Sequence, residues 1–134
     1  MINDGKGHFS SANDSIAPGL NKIGMVTDAV WTDMNRDGWP DLALAGEWMP
    51  VSIFINEKGR LIDHTDALGI RNTTGLWTTL HATDINHDGY EDLLAGNWGE
   101  NSKLHASVQY PLELFVGDLD NNGSIDQVLA IEKC

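Results

Sequence analysis

Short apolar runs of strand length alternate along the chain with turns that are rich in Gly, Asn and Asp. In the segment 51–56, Val, Ile and Ile alternate with Ser, Phe and Asn, which is the period-two pattern of a β-sheet. No long amphipathic helical pattern occurs, and only a few helical residues are expected, near 14–22 or 64–69. The hydrophobic pattern therefore predicts an all-β chain.

Four of these runs fall close together and predict four short strands. The predicted strands are 27–32, 41–46, 51–56 and 60–65. Gly46 and Gly96 are expected to end the strands in which they lie, and a tight turn at 56–59 leads into the fourth strand. The residues 66–76 would then cross to the next unit.

The same features return at a nearly fixed spacing. Asp33 and Asp84, which open two similar acidic loops, are 51 positions apart, and the Ala-Gly-x-Trp segments at 45–48 and 95–98 are 50 apart. A period in this range indicates a solenoid, a propeller or another repeat array. Four short antiparallel strands per period is the unit of a β-propeller blade.

Three copies of one acidic pattern stand out among the polar segments. They read D-x-[DN]-x-[DN]-G-x-x-D and occupy 33–41, 84–92 and 118–126. Each copy follows one predicted strand and its closing Asp begins the next, so the loop joins two strands. Ordinary turns also use Asp, Asn and Gly, but three copies in one chain favour an ion site. The third copy opens only 34 positions after the second, so the polar stretch 97–111 is expected to replace a regular hairpin.

The residue types in these loops are those that calcium prefers. Calcium takes six to eight oxygen ligands, and each loop offers three carboxylates and one Asn amide, with no Cys or His at a ligand position. Positions 1, 3, 5 and 9 would bind through side chains and position 7 through its carbonyl, while Gly at position 6 allows a sharp turn with positive φ. The predicted ligands of up to three calcium ions are Asp33, Asn35, Asp37, Trp39, Asp41, Asp84, Asn86, Asp88, Tyr90, Asp92, Asp118, Asp120, Asn122, Ser124 and Asp126.

An EF-hand does not explain these loops. An EF-hand closes with a bidentate Glu at position 12 and lies between two helices. Here position 12 is Leu44, Ala95 and Leu129, and strand-like runs flank each copy. The loops are therefore expected to stabilise a sheet and not to act as helical calcium sensors.

Charge and cysteine content narrow the classes of function. The chain has 8 Lys and Arg against 20 Asp and Glu, a net charge of −12, and nine of the acidic residues lie at predicted ligand positions. Nucleic acid is an unsuitable partner because it requires basic surface. The single Cys134 cannot form an internal disulfide. Residues 1–20 have no signal-peptide pattern, and no apolar run is long enough for a membrane span.

The loops and their surroundings together resemble FG-GAP and VCBS repeats, the calcium-binding propeller blades of integrin α-subunits and many secreted bacterial proteins. The resemblance rests on the acidic loops, on the Ala-Gly pairs that follow the first two of them, and on the Asn-Gly turns at 3–7 and 56–59. The stretch 101–126 is similar to bacterial relatives that carry an ASPIC/UnbV-type domain. The resemblance implies a β-propeller, calcium and an extracellular, periplasmic or cell-surface location.

The chain is too short for a closed propeller of about four to eight blades. We expect a partial propeller of about two to three blades of four-stranded antiparallel sheet within one repeat segment, 1–134. It is expected either to belong to a longer propeller chain or to form a ring from several copies. The expected parts are the end of a preceding blade and linker (1–26), a complete blade (27–76), a modified blade (77–111) and the start of another blade (112–134).

No sequence feature favours catalysis. The histidines have no metal-binding spacing and no G-x-S-x-G motif occurs, so the chain is not expected to be an enzyme. The expected role is a calcium-binding scaffold whose partners are neighbouring blades and a protein or glycan ligand. One alternative is a lectin-like propeller that binds sugars through Trp48 and Trp98; another is a non-catalytic part of a larger secreted enzyme. Trp31 and Trp77 are expected in the core.

Overall fold

The computed structural model describes residues 1–11, 13–99 and 102–131, and this part of the chain is all-β, as predicted. Its helical elements are short: α1 (Asn13–Ile16) and a 3-10 helix (Pro18–Leu20). The strands are β1 (Ile2–Asn3), β2 (Phe9–Ser10), β3 (Met25–Thr32), β4 (Asp41–Met49), β5 (Ser52–Asn56), β6 (Leu61–Asp63), β7 (Gly75–Thr83), β8 (Asp92–Asn97), β9 (Leu112–Gly117) and β10 (Asp126–Ile131).

Strands β3 to β6 form an antiparallel sheet in sequence order, and β7 and β8 form an antiparallel hairpin beside it. The central strand β4 pairs with β3 on one side and β5 on the other, and β5 pairs with β6. The end of β4 also pairs with the start of β7, where Glu47 faces Leu76 and Met49 faces Gly75. None of the described sheets closes on itself.

The prediction that Gly46 and Gly96 end their strands is wrong. β4 continues to Met49 and β8 to Asn97. Each glycine instead lies opposite a β-bulge, because the pairing register shifts by one residue at Thr27 in β3 and at Thr78 in β7. A glycine inside a strand often marks such a bulge, since the two backbones approach closely there.

Strand β4 is buried on both faces, and two hydrophobic clusters meet on it. On one face Leu42 and Leu44 pack with Phe54 of β5. On the other face Ala43 and Ala45 pack with Val51, Ile53 and Leu80, and the partly buried Trp77 and Leu93 pack against this cluster. Large side chains on one face and small ones on the other allow the β7–β8 hairpin to approach β4 closely. Trp77 is a partly buried neighbour of this second cluster, in agreement with the prediction.

Trp31 is not in the core, contrary to the prediction, because 57% of its surface is exposed. It lies on β3 opposite Leu42. The segment that covers this face of the sheet contributes Ala17, Leu20 and Ile23, which pack on the cluster of β4, β5 and β6. Trp31 belongs to neither cluster, so its ring stays accessible within the described part of the chain.

The chain divides into two compact units, Met1–Asn97 and Trp98–Cys134. The second unit contains the antiparallel hairpin of β9 and β10, in which Gly117 faces Asp126 and Leu112 faces Ile131. Its described residues before β9 form neither helix nor strand, as expected for an irregular connection. Cys134 lies outside the described residues. Among the described helices, none has the length and apolar character needed to cross a membrane.

Candidate metal sites

Each acidic loop joins two antiparallel strands, as the sequence predicts. The first loop connects β3 to β4, the second connects β7 to β8, and the third connects β9 to β10. The closing residues Asp41, Asp92 and Asp126 are the first residues of the strands that follow. The loops are therefore anchored at both ends by the hydrogen bonds of a strand pair.

The carboxylate at position 1 organises each loop by accepting the backbone N–H groups of positions 5 and 6. In the first loop Asp33 Oδ1 accepts from Asp37 at 3.1 Å, and Asp33 Oδ2 accepts from Gly38 at 2.9 Å. The corresponding distances are 3.1 and 2.8 Å at Asp84 and 2.9 and 2.9 Å at Asp118. The backbone folds around its first aspartate in the same way in all three loops.

Positions 3 and 5 always combine one amide with one carboxylate. In every loop the amide nitrogen donates to a carboxylate oxygen at 3.0 Å. The pairs are Asn35–Asp37, Asn86–Asp88 and, in the opposite order, Asp120–Asn122. This bond offsets part of the repulsion among the three carboxylates of a loop, because it gives one of them a donor.

Position 5 also caps the turn that follows it. Its side-chain oxygen accepts the backbone N–H of position 7 at 2.8 Å in each loop. The accepting residues are Asp37, Asp88 and Asn122, and the donors are Trp39, Tyr90 and Ser124. This contact fixes the residue whose carbonyl is predicted to face an ion.

The closing aspartate ties the end of each loop to its beginning. Its Oδ2 accepts the backbone N–H of position 2, at 2.9 Å for Asp41 and at 3.0 Å for Asp92 and Asp126. Asp41 has no exposed surface, and its Oδ1 also accepts the backbone N–H of Asn56 at 2.7 Å. Asp41 therefore has a structural role in the sheet in addition to its predicted ligand role.

Asn56 connects the first loop to the turn between β5 and β6. Its amide nitrogen donates to the carbonyl of Pro40 at 2.9 Å, and its side-chain oxygen accepts the N–H of Gly59 at 2.7 Å. The sequence predicts that Asn56 is a turn residue, but it does not predict the contact of Asn56 with the first loop. The signal available in the sequence was an Asn at the end of an otherwise apolar strand.

Two backbone positions in each loop have positive φ. Glycine at position 6 has φ of 87°, 87° and 84°, which confirms the predicted sharp turn. Position 4 is also left-handed, with φ of 59° at Arg36, 61° at His87 and 59° at Asn121. The sequence did not reveal this second position, because Arg and His are not typical left-handed residues.

Among the described residues, one group of three acidic side chains converges closely. Asp118, Asp120 and Asp126 each offer an oxygen within 4.8 Å of the others. In the first two loops Asn35 and Asn86 occupy the position of Asp120, so an amide oxygen replaces one carboxylate there. Oxygen donors of this kind suit a hard divalent cation better than zinc. The residue types therefore fit the predicted calcium ion.

The carboxylate of Asp88 has a lowered pKa. The main cause is the hydrogen bond from the backbone N–H of Tyr90, followed by the one from Asn86 and by the positive charge of Arg36. Hydrogen bonds and a nearby cation stabilise the charged form of a carboxylate. Asp88 is therefore ionised, and available as an anionic donor, throughout the neutral range.

The aromatic residues proposed for ligand contact lie in different environments. Trp39 and Tyr90, at position 7 of the first two loops, are 44% and 50% exposed. Trp98 is 51% exposed, whereas Trp48 is half-buried in β4 with φ of 61°. The two tryptophans that occupy equivalent places in the sequence repeat therefore differ in accessibility.

Short antiparallel strands joined by repeated acidic loops define an all-β repeat protein. Residues 33–95, somewhat less than half of the chain, match the family model of the FG-GAP-like repeat. This stretch, which runs from the first loop into β8, is thus an FG-GAP-like repeat segment. The match confirms the resemblance to FG-GAP repeats over these residues and suggests a β-propeller-type scaffold. No curated protein and no solved structure matches the chain.

Proposed function

We propose that this chain is a calcium-binding β-propeller segment that serves as a structural and interaction scaffold outside the cell. The observation that carries the proposal is the threefold recurrence of one loop geometry, in which the same backbone N–H groups hold the same acidic positions. A single loop of this kind is compatible with an ordinary turn. Three loops that share these backbone hydrogen bonds, each between two strands, favour a common ligand.

Each loop would hold one ion through its side chains at positions 1, 3, 5 and 9 and the carbonyl at position 7. In the first loop these are Asp33, Asn35, Asp37, Asp41 and Trp39, and the other two loops offer the corresponding residues. A bound calcium ion would supply positive charge that neutralises the carboxylates. Three such ions would halve the net charge of −12.

Bound ions in the loops would stabilise the sheet. Each loop closes a strand pair, so an ion that binds only the folded loop also stabilises the strands on either side. If calcium were present at about ten times the Kd, each site would add roughly 1.4 kcal/mol to the free energy of unfolding. Sites of such modest affinity suit the millimolar calcium found outside cells.

Thermal unfolding tests this proposal directly. The midpoint should rise when millimolar calcium replaces excess chelator, and titration calorimetry should show binding of up to three ions. Magnesium at the same concentration should have a smaller effect, because it binds fewer protein ligands. The matched control carries Asp33→Asn, Asp84→Asn and Asp118→Asn, which keep similar side-chain volume while removing the carboxylate at position 1. Equal midpoints with calcium and chelator, together with no binding heat, would refute the proposal.

The proposed partners are neighbouring blades, supplied by a longer chain or by further copies of this one, and a protein or glycan ligand. Exposed apolar side chains in the first unit support contact with other blades, among them Trp31 and Leu94. An enzymatic role is not proposed, because the acidic side chains of the loops are engaged in holding the loops together.

Glycan binding is a second candidate function, and the exposure of Trp98 favours it. An accessible indole ring can stack on the apolar face of a sugar. A glycan-array signal that is lost in Trp98→Ala and retained in Trp48→Ala would support this function. Absence of any glycan signal from the calcium-loaded protein would argue against it.

A further inference from the structure

A side chain of the first acidic loop reaches into the second one. The guanidinium carbon of Arg36, at position 4 of the first loop, lies 4.2 Å from the centroid of the Tyr90 ring. A cation at this distance from an aromatic face is attracted by the ring quadrupole. Arg36 and Tyr90 are 54 positions apart, so this contact joins two successive repeats.

Gly89 provides the space for this contact. A side chain at Gly89 would collide with the guanidinium group of Arg36. At the equivalent glycines of the other loops, Gly38 and Gly123, a β-carbon would meet no atom within 4 Å. Gly89 therefore serves two purposes, since it also has the positive φ that the turn requires.

A second contact joins the same two parts of the chain. Thr32, the last residue of β3, donates its hydroxyl hydrogen to Glu91 Oε2 at 2.8 Å. Thr32 is buried and Glu91 is exposed, so this bond is partly buried. Residues Gly89, Tyr90 and Glu91, which are positions 6 to 8 of the second loop, are thus held from outside by the first repeat.

These three positions include the part of the loop that would face an ion. The carbonyl of Tyr90 is the predicted backbone ligand, and its N–H donates to Asp88, the ligand at position 5. The positive charge of Arg36 also acts on Asp88. A change in the position of Arg36 would therefore change the contacts made by the ligand-bearing segment of the second loop.

We propose that Arg36 is a positioning residue for the second loop, through which cation occupancy of the first loop is transmitted to the second. This inference rests on the proposed function of the loops as calcium sites. Arg36 lies between Asn35 and Asp37, two predicted ligands of the first loop. An ion held by those two ligands would fix the backbone of Arg36 between them, and with it the guanidinium group that contacts Tyr90.

Nuclear magnetic resonance can separate the two loops. In Asp84→Asn the second loop loses its organising carboxylate, while the first loop keeps all its ligands. During a calcium titration of this variant, the amide signals of Gly89 and Tyr90 should shift along the same saturation curve as that of Gly38 in the first loop. The further change Asp33→Asn should abolish all three shifts.

Substitution of Arg36, whose side chain joins the two loops, is the decisive experiment. Arg36→Asn in the Asp84→Asn background should leave the Gly38 shift intact and abolish the shifts of Gly89 and Tyr90. Asn is the matched replacement, because Asn121 occupies this position in the third loop with the same φ of 59°. In Tyr90→Leu, the amide signal of Gly89 should also stop following calcium binding at the first loop. In Tyr90→Phe, the Gly89 signal should still follow it, since the aromatic face remains.

The outcomes distinguish the two proposals. If the Gly38 signal does not respond to calcium in the wild-type chain, the proposed function of the first loop is wrong. If Gly38 responds and the signals of Gly89 and Tyr90 stay still, or follow Gly38 equally well in Arg36→Asn, calcium binding stands and the role of Arg36 is refuted.

Discussion

A single carboxylate, that of Asp28, links β3 to β7, which are equivalent strands of two successive repeats. Its Oδ2 accepts the backbone N–H of Leu80 at 2.8 Å and the hydroxyl of Thr79 at 3.0 Å, while its Oδ1 accepts the N–H of Ala29 at 2.8 Å. Asp28 and Thr79 are 51 positions apart, the same spacing as the first two acidic loops. They therefore occupy equivalent places in the repeat, and one contacts the other.

The link made by Asp28 should depend on pH. The pKa of Asp28 is lowered, first by the N–H of Leu80 and then by Ala29 and Thr79. A carboxylate with a lowered pKa in the folded state contributes stability above its unfolded pKa, near 4, and that contribution is lost as the pH falls through the folded value. Asp28→Asn should therefore unfold at a lower temperature than wild type at pH 7, by a few degrees, and the difference should shrink towards pH 3.

Thermal melts of wild type and Asp28→Asn in chelator, at pH values from 3 to 7, measure the difference in melting temperature without calcium. Glu113→Gln is a suitable control, because Glu113 is an exposed acidic residue of β9 in the second unit. A difference between wild type and Asp28→Asn that stays constant over the whole pH range would contradict the assignment.

At the scale of elements, the repeated Ala-Gly pair is explained by the bulges of β3 and β7. Thr27 is the extra residue opposite Ala45 and Gly46, and Thr78 is the extra residue opposite Gly96 and Asn97, so a glycine takes part in both bulges. The hydroxyl of Thr27 donates to the carbonyl of Trp77 at 2.8 Å, so the first bulge also contacts the next hairpin. The motif therefore has a structural cause that lies in the partner strand.

Substitution of the two glycines should have unequal effects. A β-carbon at Gly46 would collide with the backbone oxygen of Met25 and with the sulfur of Met49, whereas one at Gly96 would meet the methyl group of Thr79 at 2.7 Å. Backbone yields less readily than a side-chain end. Gly46→Ala should lower the free energy of unfolding by about 1–3 kcal/mol, and Gly96→Ala should lower it by less than about 1 kcal/mol.

Urea unfolding of Gly46→Ala, Gly96→Ala and wild type measures these losses in the free energy of unfolding. The midpoint should fall clearly for Gly46→Ala, with an unchanged slope. Equal losses in the two variants, or a larger loss in Gly96→Ala, would show that the close approach at Met25 is not what requires a glycine.

Strand positions were predictable where local rules decide them. The closing aspartates begin β4, β8 and β10 as expected, because an acidic turn followed by apolar residues is a local signal. The end of β4 was not predictable, since its extension to Met49 depends on pairing with β7. The exposure of Trp31 likewise depends on which segment covers its face, and that segment, 17–23, lies outside its own repeat.

At the scale of the whole molecule, the net charge of −12 is concentrated in the loops. Without calcium, repulsion among these carboxylates should weaken the folded chain, and sodium chloride should relieve part of it by screening. The melting midpoint in chelator should therefore rise as salt increases from about 20 to 200 mM, over which the Debye length falls from about 20 to 7 Å.

Calcium should raise the midpoint further at constant ionic strength, because direct coordination is a stronger effect than screening. The variant with Asp33→Asn, Asp84→Asn and Asp118→Asn should lose this additional increase while keeping a salt response. An identical response to calcium and to sodium chloride at equal ionic strength would mean that screening alone accounts for the stabilisation.

The candidate sites were predictable in part. All three loops, the glycine at position 6 and the strands on either side could be predicted from a nine-residue pattern. The contact between Arg36 and Tyr90 could not, because it depends on how two hairpins approach each other. The burial of Asp41 and its bond with Asn56 also required the sheet, since the two residues are 15 positions apart in sequence and adjacent only in the fold.

The opposite order of amide and carboxylate in the third loop has a consequence for exchanging these two side chains in the other loops. Changing one order into the other takes two substitutions, and either first step leaves two acids without a donor or two amides without an acid. Both intermediates give up the 3.0 Å bond that all three loops keep. Asn35→Asp or Asp37→Asn alone should therefore weaken the first loop, whereas the two changes together should restore the bond in the order that the third loop already has.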